Sequence, residues 1–449
     1  MSEHAHRMTE GSIWKNILFF ALPIFWGSLF QQLYNVVDSL VVGNFLGSEA
    51  LAAVGSSGSL IFLMTGLFQG TFLGAGVVVS RFYGAQDDEY VSRAVHTAIA
   101  FALLSGLLLT ALGVIFAPII LGWMGTPDDV MPLSTTYLRF YFCGVLATVM
   151  YNAANGIFNA VGDSRHPLYY LIISSVTNVV LDLLFVGLLG FGVGGAAVAT
   201  VISQATSACL GLYRLSRSRE CFRLIPSKIR LRLDMLRQIL RLGVPSGVQN
   251  SIISLANIVV QSHINAFGSL AMAGCGAYAK IEGFGFLPIT SFSMAMTTFV
   301  GQNLGGGRPD RARQGARFGV LSCLILAELV GVGINLLAPT FIAAFDSNPD
   351  VIAFGVMQAR TVTLFYFLLA LSHGISGVLR GAGRAIVPMV VMLVCWCLIR
   401  VSYIVLVTPL AGTIRAVFWA YPLTWTLSSL CFLVYYFKAD WTKTDLQRA

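Results

Sequence analysis

The chain has 449 residues, of which 56% are hydrophobic and 11% charged, against about 25% charged in an average soluble domain, so a water-soluble globule is excluded. Its apolar runs reach about 20 residues, enough for a helix to cross a bilayer, whereas barrel strands alternate and stop near 10. The net charge of +8 is spread over alternate loops, which is a topology pattern and not a nucleic-acid face.

A polar start leads into an apolar stretch from about Asn16 to Val42. It is too long for a signal-peptide core and is read as a first membrane helix. Pro23 falls inside it, where it removes a hydrogen bond and can serve as a hinge. Further spans are expected at 51–78, 94–119, 133–160, 168–189, 194–214, 240–266, 270–300, 315–340, 351–379, 386–410 and 416–437. The fifth and sixth are joined by Gly187 to Gly195. The expected class is therefore all-α integral membrane, with twelve transmembrane helices.

Basic residues mark one side: Lys15, Arg81, Arg93, Arg165, Arg308, Arg311, Arg313, Arg380, Arg384 and the connector from Arg214 to Arg241, with Lys438, Lys443 and Arg448 at the end. The opposite loops carry Glu49, Asp128, Asp129, Asp346 and Asp350, with Arg415 as their one clear cation. The positive-inside rule then places both termini in the cytoplasm of a cell inner-membrane protein.

The chain repeats at an offset of about 221 residues. Gly47-Ser48 matches Gly268-Ser269, Gly156 matches Gly377, Gly162 matches Gly383, and Pro167 matches Pro388. Pro23 and Pro245 correspond one residue out of step. Six spans per repeat give both halves the same orientation, so the expectation is two pseudo-symmetric six-helix lobes, parallel repeats about an axis along the membrane normal. The expected division is an amino-terminal lobe at 1–214, a basic linker at 215–238 lying partly along the headgroups, and a carboxy-terminal lobe at 239–449.

Two acids lie in apolar stretches: Asp38 in QLYNVVDSLVVGNFLG and Asp182 in NVVLDLLFVG. A carboxylate at bilayer depth costs about 3 kcal/mol on insertion scales and is seldom kept without purpose. Asn178, four residues before Asp182, shares its helix face. Together they read as an oxygen-rich cation site that suits Na⁺, or as acids that carry protons. The bland reading is a hydrogen-bonded network that ties helices together.

The segment Gln32 to Gly55, the start of the second repeat at Gly243-Val244-Pro245, NVVLDLLFVG followed by Gly192 to Gln204, VGQNLGGGRPDRAR (Val300 to Arg313) and LRGAGRAIVP (Leu379 to Pro388) resemble the motifs of the multidrug and toxic compound extrusion family, in the right order over nearly the whole chain. The resemblance implies two six-helix lobes in a V and efflux of organic cations and other drugs against inward Na⁺ or H⁺. It carries the amino-lobe cation site onto Asp38, Asn178, Asp182 and Thr200. Some members place essential acids on the seventh and tenth helices. Here 240–266 and 351–379 show no mid-span acid, which favours the amino lobe.

Other polar residues stay open between two readings. Thr200 either ligates or bonds back to its own helix. Gln32, Tyr34 and Asn35, with Gln31, either line a cavity or glue helices. Glu282 is either a second acid for a cationic drug or a charge neutralised by Lys280 or Arg400. Glu328 and Arg400 favour a structural role, and His263 and His373 read first as packing residues. The eight cysteines form no CxxC pair, so neither a disulfide framework nor a zinc site is expected.

The reading is a secondary-active antiporter, not an enzyme, working as a monomer by alternating access. It needs no cofactor beyond Na⁺ or H⁺ as coupling ion. Its partners are small organic cations and membrane lipid, without nucleic acid. The rivals are a lipid-linked-oligosaccharide flippase, which calls for a cationic cavity, and a non-transporting scaffold or receptor.

Overall fold

A computed structural model describes residues 7–123, 126 and 130–443 of the chain. Asp128, Asp129 and Arg448 of the loop pattern lie outside the described residues.

Among the described residues the chain makes twelve helical passages. They are α1 (Ile13–Leu46), α2 (Ser48–Gly84), α3 (Asp88–Trp123), α4 (Met131–Cys143 and Val145–Ala160), α5 (Arg165–Leu188) and α6 (Gly192–Arg217) in the first repeat. The second repeat follows with α7 (Leu233–Asn265), α8 (Ser269–Gly305), α9 (Pro309–Ala343), α10 (Pro349–Gly381), α11 (Ile386–Ala411) and α12 (Ile414–Lys438). Among the described residues, nine passages are long and apolar enough to cross a membrane, all but α2, α4 and α7.

Several helices outrun the expected spans, because their polar ends go on hydrogen-bonding along the backbone after the apolar run stops. The expected loop from Gly187 to Gly195 shrinks to Leu189–Phe191. The reason is that α5 continues through π-helical turns over Leu183–Leu188, and Gly192, at φ 61°, opens α6. A second π-helical stretch, Leu393–Ile399, interrupts α11. In α10 a 3₁₀ turn at Thr363–Phe365 breaks the helix. Glu328 Oε2 accepts the Phe367 N–H at 3.1 Å just after that turn. Glu328 thus serves a backbone donor freed by the break, where the sequence reading expected a charge neutralised by a basic side chain.

The repeats share their turn chemistry. Gly47 and Gly268, at φ 86° and 98°, and Gly162 and Gly383, at φ 84° and 74°, occupy matching turns in the left-handed region, where side chains are strained. Contacts match as well. A Cβ on Gly156 would meet the Phe72 carbonyl oxygen at 2.9 Å, and one on Gly377 the Ser293 carbonyl oxygen at 2.4 Å. The sequence offset therefore reflects the same backbone-to-backbone packing made twice.

Packing divides the chain into two compact units that exchange half-helices. One holds Trp26–Gly247, the other Met8–Phe25 and the chain from Val248 onward. The changeovers, inside α1 and α7, come two residues after Pro23 and Pro245, where the missing N–H weakens the helix.

In the first unit, the opening half of α7 lies against α2 at glycine pairs. A Cβ on Gly70 would sit 2.1 Å from the Gly247 nitrogen, and one on Gly74 2.3 Å from the Gly243 nitrogen. Small residues permit this approach where no hydrophobic driving force acts between helices. The connector after α6 docks on the same unit, its Ile225 N–H donating to His96 Nε2 at 3.0 Å. Arg237 of the expected linker, and Arg241 just beyond it, fall within α7.

The second unit is packed around Tyr278, Phe299, Tyr366, Phe418 and Phe432, with Ile17, Phe20 and Ala21 of α1 in the same cluster. The segment before α1 is fixed there. Met8 N–H donates to Gln302 Oε1 at 2.8 Å, Arg308 donates to the Thr9 carbonyl at 2.6 Å, and Arg311 reaches the carbonyls of Met8 and Glu10 at 3.2 and 2.8 Å.

Candidate functional site

In α5, Ser174, Asn178 and Asp182 recur every fourth residue and are all buried. One helix face is thereby turned inward. Serine hydroxyls staple that face to α6, with Ser174 Oγ donating to the Ser203 carbonyl at 2.8 Å and Ser207 Oγ to the Tyr170 carbonyl at 3.1 Å. Asp182 ends the regular part of α5, directly before the π-helical turns. Such turns shift the following side chains around the axis and recur at functional sites.

The Asn178 amide, oriented so that each end meets its complement, donates to Asp182 Oδ2 at 3.0 Å and accepts the Thr200 N–H at 3.3 Å. Asn178 and Asp182 are each 0% exposed. Thr200 takes part through its backbone, while its hydroxyl bonds back to the Ala196 carbonyl at 3.1 Å. Asn178 thus orients the carboxylate, and its oxygen is committed to α6.

Asp38 reaches the pair from α1. It is half-buried, and its carboxyl lies within hydrogen-bonding reach of Asp182. Two carboxylates this close need a positive charge between them, either a shared proton or a metal cation. Each acid keeps one buried oxygen, Oδ1, without a protein partner. A buried acceptor without a partner costs about 1–3 kcal/mol, so the arrangement is primed for one more ligand. The oxygen-only donor set suits Na⁺, and the acid-to-acid contact suits H⁺.

Two tyrosines stand beside the acids, and a third packs behind them. Tyr34, one turn before Asp38, and Tyr137 of α4 feel both carboxylates. Tyr141 stacks on Tyr137 with centroids 6.5 Å apart. Tyr137 and Tyr141 escaped the sequence reading. Their four-residue spacing was a signal, but one shared with ordinary core aromatics. The other predicted polar residues stand further out: Gln32 is half-buried and Asn35 exposed. Around the site, Val41, Val42, Val186, Val193 and Ala197 form an apolar cluster with Tyr137.

The remaining candidates lie in the second unit. Glu282 of α8 is half-buried, with Tyr278 Oη 3.5 Å from Oε1. It feels Arg400, whereas Lys280 is exposed and lies over the Phe345 ring. Of the two expected counter-charges, Arg400 is thus the one that faces the acid. His263 spends Nδ1 on the Val259 carbonyl at 2.9 Å, as a packing residue does. Among the described residues no group of three or more His, Cys, Asp or Glu side chains is arranged to hold a metal ion.

Comparison with known proteins covers the chain end to end. It is 27% identical over 444 residues to the "Probable multidrug resistance protein YpnP" of Bacillus subtilis, covering 98% of this chain and 99% of that one. Two solved structures share the fold. One, titled "Reverse polarity of binding pocket suggests different function of a MOP superfamily transporter from Pyrococcus furiosus", superposes with a TM-score of 0.91 at 24% identity, covering 99% of this chain and 100% of that one. The other, an "Outward-facing conformation of a multidrug resistance MATE family transporter", gives 0.89 at 24% identity, covering 96% and 97%. A family model described as MatE matches residues 23–184 and 245–406, once in each repeat, and the chain belongs to that family of multidrug and toxic compound extrusion proteins.

Proposed function

We propose that the chain is a secondary-active exporter of organic cations and other drugs, driven by Na⁺ or H⁺ entering at Asp38 and Asp182. The observation that carries this reading is the acid pair itself. Two carboxyls meet in an apolar unit, each with an unpartnered oxygen, and Asn178 holds one of them in place. The name of the B. subtilis relative supports the drug class.

In this reading, the entering cation sits between the Asp38 and Asp182 carboxyls, removes their repulsion and shifts Asp38 against its neighbour. Asp38 stands on the part of α1 beyond Pro23, so its movement bends α1 at that residue and reshapes the first unit. Drug affinity falls and the substrate leaves on the outer side, while both chain ends stay in the cytoplasm. Each net charge carried inward yields about 2.3 kcal/mol per 100 mV, worth about a forty-fold concentration ratio.

The test is efflux of a fluorescent organic cation from cells or everted vesicles, with Na⁺ and pH varied separately. Wild type is expected to concentrate the dye with dependence on one of the two ions, and Asp38→Asn to lose concentration at equal protein level. An Asp38→Asn variant that pumps as well as wild type refutes coupling at this pair. Absence of efflux in wild type shifts the reading to a lipid-linked-oligosaccharide flippase.

A further inference from the structure

The connector between α6 and α7 is held to the first unit by a titratable side chain that the acid pair does not use. His96, about two turns into α3, is 3% exposed. Both of its ring nitrogens are engaged. Nδ1 lies 2.7 Å from the Ser92 carbonyl oxygen, and Nε2 lies 3.0 Å from the Ile225 nitrogen. A carbonyl can only accept, and a peptide N–H can only donate. Nδ1 therefore carries the ring proton and Nε2 offers its lone pair. The docked connector requires a neutral imidazole.

The local sequence explains why Ile225 depends on this acceptor. Pro226 follows it and keeps its backbone extended, at φ −115° and ψ 113°. An extended residue outside a sheet has no backbone carbonyl opposite its N–H, so the donor must find a partner elsewhere. Just before it, Phe222 and Leu224 are buried, and the Leu224 N–H donates to the Leu215 carbonyl at 3.0 Å. Just after it, Pro226–Lys228 form a single 3₁₀ turn, and Leu233 opens α7. Among the described residues, the bond from Ile225 is the last that the connector makes to another element before that helix.

Other ionisable groups on the packed elements do not share this geometry. On α3, Glu89 pairs with Arg93, and Asp88 lies in reach of Cys221, whose thiol burial pushes up to about 12. On α2, Tyr83 meets the Phe222 ring edge-on at 6.4 Å and has the Arg7 guanidinium 5.6 Å from its ring. The connector adds Glu220 and Arg223, α6 adds Arg214, and Asp234, Arg237 and Arg241 of α7 are exposed. At the start of α5, His166 meets the Asp163 carboxylate, a contact that a proton on the ring strengthens. At His96 a proton has the opposite effect, because it sets one N–H against another. Imidazole is the side chain whose charge ordinarily changes between about pH 5 and 8.

We propose that His96 is a pH-sensitive latch for the connector: neutral, it holds Ile225 and with it the lead into α7, and protonated, it lets both go. This latch is independent of the ion that drives export. Protonation puts a second donor on Nε2, aimed at the Ile225 N–H, and leaves two buried donors without an acceptor. The connector gives way before the ring does, because Nδ1–H still bonds the Ser92 carbonyl. Release leaves the opening half of α7 held by its packing alone, including the contacts of Gly243 and Gly247 with α2. Acid thus loosens the half-helix that completes the first unit.

Hydrogen–deuterium exchange of the purified full-length protein in nanodiscs, read by mass spectrometry as protection factors at pH 7.5 and 5.5, tests this. Dividing by the unstructured rate at each pH removes the pH dependence of exchange itself. In wild type the peptide over 221–229 is expected to lose protection at least ten-fold at pH 5.5, and α7 over 233–247 to lose less. His96→Gln supplies an uncharged acceptor at the Nε2 position and is expected to keep the connector protected at both pH values. His96→Asn reaches only the Nδ1 position and is expected to leave the connector unprotected at both. Equal protection of 221–229 in wild type at the two pH values overturns the proposal. The same acid-induced loss in His96→Gln also overturns it, since the titrating group then lies elsewhere. If His96→Gln does not fold, wild type against His96→Asn still decides: the latch requires the two to coincide at pH 5.5 and to differ at pH 7.5.

Discussion

Replacing Gly70 by alanine measures how tightly the first unit grips the opening half of α7. The added Cβ would lie 2.1 Å from the Gly247 nitrogen and 2.3 Å from its Cα, far inside the 3.4 Å of ordinary contact. The obstructing atoms are backbone, so no side chain can swing aside and the helices must part by more than 1 Å. Overpacking of this kind costs about 1–3 kcal/mol, and a rigid backbone obstacle puts the value at or above the upper end. Alanine returns about 1 kcal/mol as the better helix former, which leaves a net loss of about 2 kcal/mol. For a unit of this size that corresponds to a melting temperature lower by about 4–8 °C. Gly276→Ala is the control, since nothing lies within 4 Å of its added Cβ. Fluorescence-detected size exclusion after heating, with both variants in the same detergent, reads the difference. Gly70→Ala melting with Gly276→Ala, at or above wild type, would refute the claim that the glycine pairs hold α7.

The site and the break in α10 give two more tests. Asn178→Ala removes the donor to Asp182 and leaves a buried carboxylate short of about 1.5–3 kcal/mol of hydrogen bonding, so dye efflux is expected to fall at least ten-fold, whereas Thr200→Val keeps the backbone N–H that Asn178 uses and stays within about two-fold of wild type. Equal losses in the two variants, measured at matched protein levels, would make the Thr200 hydroxyl a working ligand. Glu328→Gln retains an oxygen for the Phe367 N–H and is expected to melt like wild type, while Glu328→Ala strands that donor at a cost of about 0.5–2 kcal/mol. A melting point unchanged in the alanine variant would show that the contact contributes nothing.

What could be read in advance was what costs energy in a bilayer. Asp38 and Asp182 stood out because each interrupts an apolar run, and the four-residue step from Asn178 to Asp182 fixed a shared face. The repeat was legible because glycine is demanded by backbone geometry, at Gly47 and Gly268 by a positive φ and at Gly156 and Gly377 by close approach. Tyr137 and Tyr141 were not legible, since an aromatic beside an acid has the same local sequence as one in lipid. The π-helical turns at Leu183 and Leu393 leave no mark either, because adding one residue to a helical turn changes no composition. The anchored segment at Met8–Glu10 was read as a plain polar start. Its partners are Gln302, which accepts the Met8 N–H, and Arg308 and Arg311, which donate to the segment's carbonyls; all lie about 300 residues away in the chain, and local sequence carries no trace of them.

The exchange of half-helices has a consequence for how such a chain is built. The changeovers at Phe25 and Gly247 are equivalent points of the two repeats, 222 residues apart. Each unit is therefore finished by a half-helix from the other repeat, the arrangement that domain swapping produces between separate chains. A protein made of the first repeat alone would present α2 with Gly70 and Gly74 uncovered, while its own Ile13–Phe25 half-helix would have no second unit to enter. Two single-repeat chains would satisfy each other by trading those pieces. Fusing the repeats through the basic connector puts both half-helices on one polypeptide, so each unit is completed within a single chain.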